Sequence, residues 1–190
     1  LKTLLPWNEN TSDTDLPNSV LGVDTTAKRL SLIRFMMGAS SEAQADTSNP
    51  SSIYVSRDDL MGDIINSTPA IIDFPVSQVP ASGILRTFLT SNASLTDKHF
   101  RLIVVGDNQG ILHGFGEVSG TDGEGLIQAA VDELWGIIPP DLLKGLQTWR
   151  TGTIHRYQVD GSPVVYLNEQ GTANGLVDGT DVLRIVFGLG

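Results

Sequence analysis

The sequence predicts a mainly β fold, namely a β-propeller that this chain contains only in part, with short helical insertions. Two observations predict it. From residue 53 onward, short β-branched and aliphatic runs are bounded by Gly, Pro, Asp, Asn or Ser, which is typical of strands joined by tight turns. The sequence also repeats a strand motif with variable insertions, which is how a propeller forms its blades. The runs are residues 53–55, 70–72, 102–105, 164–166 and 183–187.

The internal repeat consists of residues 63–72 and 160–166. Each copy carries an acidic residue, then Ser or Thr, then Pro and three apolar residues. After each copy, a polar insertion leads to an apolar strand that ends in glycine. The two prolines, Pro69 and Pro163, lie 94 positions apart. A compact blade takes roughly 40–50 residues, so the inserted loops and a helix must extend each unit.

The segment before the strands has a different amino-acid composition. Residues 1–18 are polar and predict a loop, and residues 39–52 are small and polar and predict a linker. Between them, Thr25 or Thr26 is a candidate cap for a helix over residues 27–37 that ends at Gly38. We therefore divide the chain into residues 1–52, a loop and short helix leading into the propeller, and residues 53–190, the incomplete propeller.

A second helix interrupts the strands after Pro139 and Pro140. Proline is favoured in the first helical turn because its missing N–H has no partner there in any case. Apolar side chains follow at helical spacing and predict a buried stripe. They are Leu142, Leu143, Leu146 and Trp149.

Composition excludes several classes of protein. The net charge is −10, with 12 basic and 22 acidic residues. Such a surface argues against nucleic acid and against anionic membranes, because both require clustered cations. There is no cysteine, so no disulfide framework and no thiolate metal site is expected. No run approaches the roughly 20 apolar residues of a membrane-spanning helix.

The most informative motif is the turn at residues 107–110, Asp-Asn-Gln-Gly, which predicts a β-hairpin. Ile111, His113 and Phe115 follow on one face of the next strand. For His113, as for His99 and His155, we favour a packing role, since no partner lies at metal-ligand or catalytic spacing. The sequence therefore predicts no catalytic, cofactor-binding or metal-binding residue in this segment.

Two oxygen-rich loops, residues 8–15 and 174–181, invite comparison with calcium sites. Neither has the alternating acidic spacing that fills a Ca²⁺ shell, so solvated turns are favoured. The glycines of residues 120–125 are interspersed with acidic residues and lack a following lysine, which argues against a phosphate loop. Asn-x-Ser/Thr triplets at Asn10, Asn66 and Asn92 matter only in a source that glycosylates exported proteins.

Several of these motifs, in the same order, resemble the C-terminal propeller of PilY/PilC-type type IV pilus biogenesis factors. The resemblance covers roughly residues 54–190, and more weakly the helix at residues 27–38. The segments that carry it are residues 61–69, 104–115, 133–139, 155–163 and 187–190.

The resemblance implies a quinoprotein-like propeller, exported to the cell surface by way of the periplasm and associated with a pilus tip. It implies a non-catalytic scaffold or adhesin that promotes pilus assembly, counters retraction and supports attachment. The implied partners are pilin or minor pilins, the remainder of the same propeller, and a host or surface ligand. The family's calcium loop, a dense run of alternating aspartates, is absent here, so no calcium ligand is carried over.

Two alternative functions remain open at this point. A pyrroloquinoline-quinone dehydrogenase shares the propeller architecture, although fold does not decide function. A calcium-dependent regulatory module would place the real site outside this segment. The leading hypothesis expects residues 73–100, 116–132 and 168–181 to be exposed insertions that offer contact surface. It also expects the last strands to have open borders, beside which the rest of the propeller or another chain lies.

Overall fold

A computed structural model describes residues 16–36, 61–75, 87, 88, 90, 96–121, 126–151, 157–168 and 182–190. Within these residues the protein is mainly β, as predicted, with antiparallel sheets and few helices, and no closed propeller is formed. The order of elements is α1 (Thr26–Met36), β1 (Ala70–Pro75), β2 (Thr96–Gly106), β3 (Leu112–Thr121), β4 (Leu126–Ile137), α2 (Pro140–Leu143), α3 (Leu146–Thr151), β5 (Val164–Asn168) and β6 (Val182–Val186).

Strands β1 to β4 form one antiparallel sheet in the order of the sequence, so each strand pairs with its successor. The β3–β4 ladder is irregular at two places, between Gly114 and Phe115 and between Val118 and Ser119. At each place β4 contributes one residue more than β3. Such bulges increase local twist and interrupt the pairing of an outer strand, which protects the border of the sheet from further strands.

The predicted hairpin turn joins β2 to β3. The N–H of Asp107 donates to the carbonyl of Ile111 (2.9 Å), which closes the turn. Gly110 has a φ of 87°, a left-handed conformation that side chains with a Cβ adopt at a cost. The Asp-Asn-Gln-Gly sequence thus matches the geometry that the turn requires.

Strands β5 and β6 form a separate two-stranded antiparallel sheet. Its pairing has the same form as that of β1 and β2, because Val164 lies opposite Val186 as Ala70 lies opposite Val104. The prolines of the repeat stand directly before β1 and β5. The two sequence copies therefore begin equivalent strand pairs.

Equivalent residues of the two copies are also in contact. The side-chain N–H of Asn66 donates to Oδ2 of Asp160 (2.8 Å), and the backbone N–H of Thr68 donates to Oγ of Ser162 (2.9 Å). Each of these pairs is separated by 94 residues, the same interval as the prolines. The two repeats consequently lie side by side at their first strands.

The central core lies between the two sheets. Its buried members come from β2, β3, β4 and the segment before β5, and they are joined by half-buried side chains of β6. One face of β6 therefore packs onto the face of the four-stranded sheet. The buried residues are Phe100, Leu102, Val104, Leu112, Val118, Leu134, Trp135 and Val159, with Ile72, Leu183, Ile185 and Phe187 at the margin.

A second core packs α1 against the turn end of the hairpin. Leu32 and Phe35 of α1 pack with Ile111, which directly precedes β3, and with Leu146 of α3. The helix starts where the sequence predicts, since the N–H of Lys28 donates to Oγ1 of Thr25 (3.2 Å), an N-terminal cap. The division of the chain into residues 1–52 and 53–190 remains a prediction.

Three expectations need correction. Residues 73–100, expected as an exposed insertion, belong to strands at both ends, since residues 73–75 end β1 and residues 96–100 begin β2, where Phe100 is fully buried. Residues 116–132, expected as an exposed insertion, form most of β3 and the first half of β4 wherever they are described. The single helix expected after Pro139 is instead two short ones, α2 and α3. The break comes at Gly145, whose N–H donates to the carbonyl of Leu142 (2.9 Å) and so closes a tight turn before α3 begins.

Several other expectations lie outside the described residues. They are the strand at residues 53–55, the linker at residues 39–52, the loop at residues 1–15, the helix end at Gly38, and nearly all of the insertion at residues 168–181.

Candidate functional site

A buried polar cluster stands at the end of the β2–β3 hairpin, and Asp107 is its centre. Both carboxylate oxygens of Asp107 accept backbone hydrogen bonds, Oδ1 from Ile111 (2.8 Å) and Oδ2 from Gly62 (2.8 Å). Its own carbonyl accepts from the N–H of Val159 (3.3 Å). One residue therefore ties together the turn and the segment before β1, through its side chain, and the segment before β5, through its backbone carbonyl.

His113, on β3, is the cationic member of the cluster. Its Nε2 lies 3.0 Å from Oδ2 of Asp107, and its Nδ1 lies 2.7 Å from Oε1 of Glu133 on β4. The imidazole is 1% exposed and stacks on Phe115, with ring centroids 5.8 Å apart. A histidine with a carboxylate at each nitrogen is best satisfied when both nitrogens carry protons and donate.

The pKa of His113 is raised from 6.5 to about 9. Burial by itself lowers this pKa, because a charge is costly away from water. The hydrogen bonds to Asp107 and Glu133, together with the negative charges of both carboxylates, outweigh that cost. The imidazole is therefore a cation at neutral pH, held by two anions.

Asp107, His113 and Glu133 form an ion-pair clamp, in which two carboxylates hold one protonated imidazole between them. In a general base, one nitrogen must be free to accept a proton from substrate. Here both ring nitrogens are already engaged by carboxylates, and one of those, Asp107, is buried as well. The cluster joins β2, β3 and β4 at one end of the sheet and thereby stiffens it.

The clamp predicts a dependence of stability on alkaline pH. The pKa of His113 is higher in the folded protein than in the unfolded chain, so its contribution is complete below pH 6.5 and is lost as pH rises toward 9. We expect the free energy of unfolding to fall by about 2–3 kcal/mol across this range.

Urea unfolding at pH 6, 7, 8 and 9 would measure this loss, with His113→Gln as the matched variant. The variant should be less stable at pH 6 but should show a flatter pH profile, because it has no imidazole to titrate. Parallel profiles for the two proteins would contradict the assigned protonation of His113.

The other histidines are not part of this cluster. His99 is exposed on β2, and His155 lies outside the described residues, as does Arg156. The packing role expected for His113 was incomplete, because sequence spacing did not reveal its two carboxylate partners. Glu133 is 20 residues away, and only the register of β3 and β4 brings it near.

An open groove of about 420 Å³ lies near the hairpin. It is lined by Tyr157 and Gln158, with Leu142 and Asp141 of α2. Gln158 is buried, and its Oε1 has no hydrogen-bond partner within the described part of the chain. The lining is largely apolar and holds one carboxylate, so it offers no arrangement of acid, base and nucleophile.

No group of three or more potential metal-binding side chains comes together among the described residues. The two loops considered for calcium, residues 8–15 and 174–181, lie outside them. In the same described ranges, the helices fall short of the length and hydrophobicity that a bilayer crossing requires.

Comparison with known proteins gives one consistent relationship. No family model and no solved structure matches the chain. The type IV pilus biogenesis factor PilY1 of Pseudomonas aeruginosa strain PAK is 30% identical over 143 residues, which cover 70% of this chain and 10% of that protein. PilY1 of strain PAO1 is 30% identical over 122 residues, covering 59% of the chain and 9% of the relative. PilY1 of strain UCBPP-PA14 is 31% identical over 115 residues, covering 57% of the chain and 9% of the relative.

The chain spans about a tenth of the length of the curated relatives that it matches. The resemblance seen in the sequence motifs is confirmed by these comparisons: over most of its length, this chain is similar to one segment of the type IV pilus biogenesis factor PilY1.

Proposed function

We propose that this chain is a segment of a non-catalytic type IV pilus biogenesis protein, which acts as a scaffold or adhesin at the pilus tip. The observation that carries the proposal is the similarity to PilY1 over 143 residues. The relative's name states a role in pilus biogenesis. The adhesive or scaffolding part of the role is our extension of it.

The geometry of the polar cluster supports a structural role. The one buried histidine among the described residues is held by carboxylates on both sides, and Asp107 also accepts two backbone hydrogen bonds. A sheet stiffened in this way presents its loops in fixed positions. Binding proteins commonly carry their contact residues on loops supported by such a rigid scaffold.

We further propose that the four-stranded sheet is one blade of a propeller and that β5 and β6 are the first two strands of the next. A propeller blade is a four-stranded antiparallel sheet whose strands follow one another, which is the order found for β1 to β4. Contacts between residues 94 positions apart support the same proposal, because neighbouring blades meet through equivalent positions.

The expected partners are pilin or minor pilins, the remainder of the propeller, and a host or surface ligand. The expected location is the cell surface at the pilus tip, reached through the periplasm. The −10 net charge favours partners that carry basic patches, since complementary charge speeds association.

Removing the coding region for residues 61–190 in the source bacterium tests the proposal. We expect few or no surface pili, measured as pilin sheared from intact cells and by electron microscopy, and weaker attachment to surfaces. The matched control is Asp73→Ala, a change at an exposed ion pair of the sheet, which should leave piliation normal because such pairs contribute little.

Unchanged piliation together with unchanged attachment would contradict the proposed function. A separate assay tests its non-catalytic part. In this assay the whole protein is supplied with pyrroloquinoline quinone, Ca²⁺, an alcohol and a dye. Quinone-dependent reduction of the dye would contradict the non-catalytic role and favour a dehydrogenase.

A further inference from the structure

The open groove near the hairpin has the size of a small-molecule site. Its volume of about 420 Å³ falls within the range in which proteins bind small ligands. The lining comes from α2 and the turn after it, from the segment before β5, and from the segment after β6. The lining residues are Asp141, Leu142, Gly145, Tyr157, Gln158 and Gly190.

Backbone hydrogen bonds hold the walls of this groove in place. The N–H of Gly190 donates to the carbonyl of Gln158 (2.9 Å), and the N–H of Gly145 donates to the carbonyl of Leu142 (2.9 Å). Val159, which follows Gln158, is tied to the hairpin turn through its N–H. A ligand would therefore enter a preformed groove, and its affinity would not be reduced by the cost of ordering the walls.

Gln158 leaves a hydrogen bond of the groove unmade. Its side chain is only 7% exposed, and its Oε1 lies beside Gly110, where an added Cβ would contact it. This oxygen has no hydrogen-bond partner within the described part of the chain. Buried acceptors are almost always satisfied in folded proteins. An occupant of the groove that donates a hydrogen bond would satisfy this one.

The charge of the lining selects the kind of donor. Asp141 is exposed, and it forms no ion pair with any described residue. Its carboxylate favours a cation and repels an anion. Tyr157, which is 50% exposed, adds an aromatic ring of the kind that attracts cations. Leu142 offers apolar surface to an alkyl chain.

We propose that this groove binds a small aliphatic primary amine in its ammonium form. The ammonium group donates hydrogen bonds to the carboxylate of Asp141 and to Oε1 of Gln158, and the alkyl chain lies against Leu142 and Tyr157. Because the described lining holds one carboxylate, the ligand carries one positive charge. The site is independent of the proposed role in pilus biogenesis, since binding requires only the residues of the groove.

Binding of n-butylammonium chloride to the whole protein, purified from its source, tests the proposal. Saturation-transfer NMR measures the affinity, and we expect a Kd of about 1 mM for a ligand with so few atoms. n-Butanol has the same number of non-hydrogen atoms but no charge, and should bind about three- to fivefold more weakly. Butyrate should not bind at the same concentrations, because its carboxylate would face that of Asp141.

Two variants assign the binding to this groove. Asp141→Asn removes the charge and keeps the shape, and Gln158→Met removes the acceptor oxygen and keeps an unbranched side chain of similar length. Each should weaken butylammonium binding about three- to fivefold. The matched control is Asp132→Asn, a change at an exposed carboxylate of β4 outside the lining, which should leave the Kd unchanged.

Three results would overturn the proposal. Equal affinities for butylammonium and butanol would show an apolar groove without selectivity for a cation. An unchanged Kd in Asp141→Asn, which should fold normally because Asp141 is exposed, would place the amine elsewhere. Equal weakening by Asp141→Asn and Asp132→Asn would indicate attraction by the overall negative charge. None of these outcomes depends on piliation, because binding is measured on purified protein.

Discussion

Replacement of Asp107 by alanine is expected to destabilise the fold by about 3–5 kcal/mol, because it removes one partner of a buried ion pair. The side chain of Asp107 accepts from the backbone N–H groups of Gly62 and Ile111 and from His113. All three donors would lose a partner at once. His113 would stay buried, with Glu133 as its remaining carboxylate partner in the cluster.

Urea unfolding of the variant and the unchanged protein measures this loss. Asp73→Ala is the control, since Asp73 is 60% exposed and pairs with Arg101 on the surface of the sheet. Its loss should be about 1 kcal/mol or less. A second variant, Asp107→Asn, keeps the size of the side chain and one acceptor oxygen, and should fall between the two. Equal effects of Asp107→Ala and Asp73→Ala would contradict the central position of Asp107.

Local chemistry made the β2–β3 hairpin predictable. The four residues from Asp107 to Gly110 favour a tight turn, and the apolar runs on either side favour strands. The same reasoning placed the start of α1 near Thr25, because a threonine side chain can cap the first N–H groups of a helix. In both places, the residues that decide the structure are neighbours in sequence.

The polar cluster could not be predicted in this way. Sequence alone identified Asp107 as a turn residue and His113 as a strand residue, and both assignments hold. Their bond, and the bond of His113 to Glu133, depends on strand register and on the path of the chain around Gly62. Such contacts depend on tertiary packing, which cannot be predicted from residue spacing.

The expectation of an exposed insertion at residues 116–132 was wrong for a related reason. Glycines at positions 114, 116 and 120 are typical of loops, and they hid the strand pattern of β3. In the structure, the space beside Gly114 and Gly116 is filled by Trp135 and Leu134 of β4. These two glycines are therefore packing positions, where a small residue admits a large neighbour.

The internal repeat was the sequence feature that related the most distant segments of the chain. It identified the strand pairs β1–β2 and β5–β6 as equivalent, and the structure adds contacts between the equivalent residues. The spacing of the repeat contained no information about which faces meet. That came from exposure, because Val104 is buried where Val186 is not. The sequence thus identifies which segments are equivalent, and the structure shows how they pack against each other.

Gly106→Ala is the second change for which we expect a large effect, a loss of about 3–4 kcal/mol. Gly106 ends β2, where the backbone passes against Val159 of the segment before β5. A Cβ at position 106 would meet the carbonyl oxygen of Val159 and would lie 2.6 Å from its Cγ1. Val159 is fully buried in the central core, so it cannot move aside without disturbing that core.

The matched control is Gly145→Ala, between α2 and α3, where an added Cβ has the carbonyl oxygen of Leu142 as its nearest neighbour, at 3.4 Å. That change should alter the free energy of unfolding by about 0.5 kcal/mol or less. The comparison isolates close packing from the general effect of replacing glycine, because both substitutions add the same methyl group. If both variants unfolded at the same urea concentration, the second repeat would not pack against the first at Gly106, and the stacking of the two strand pairs would have to be abandoned.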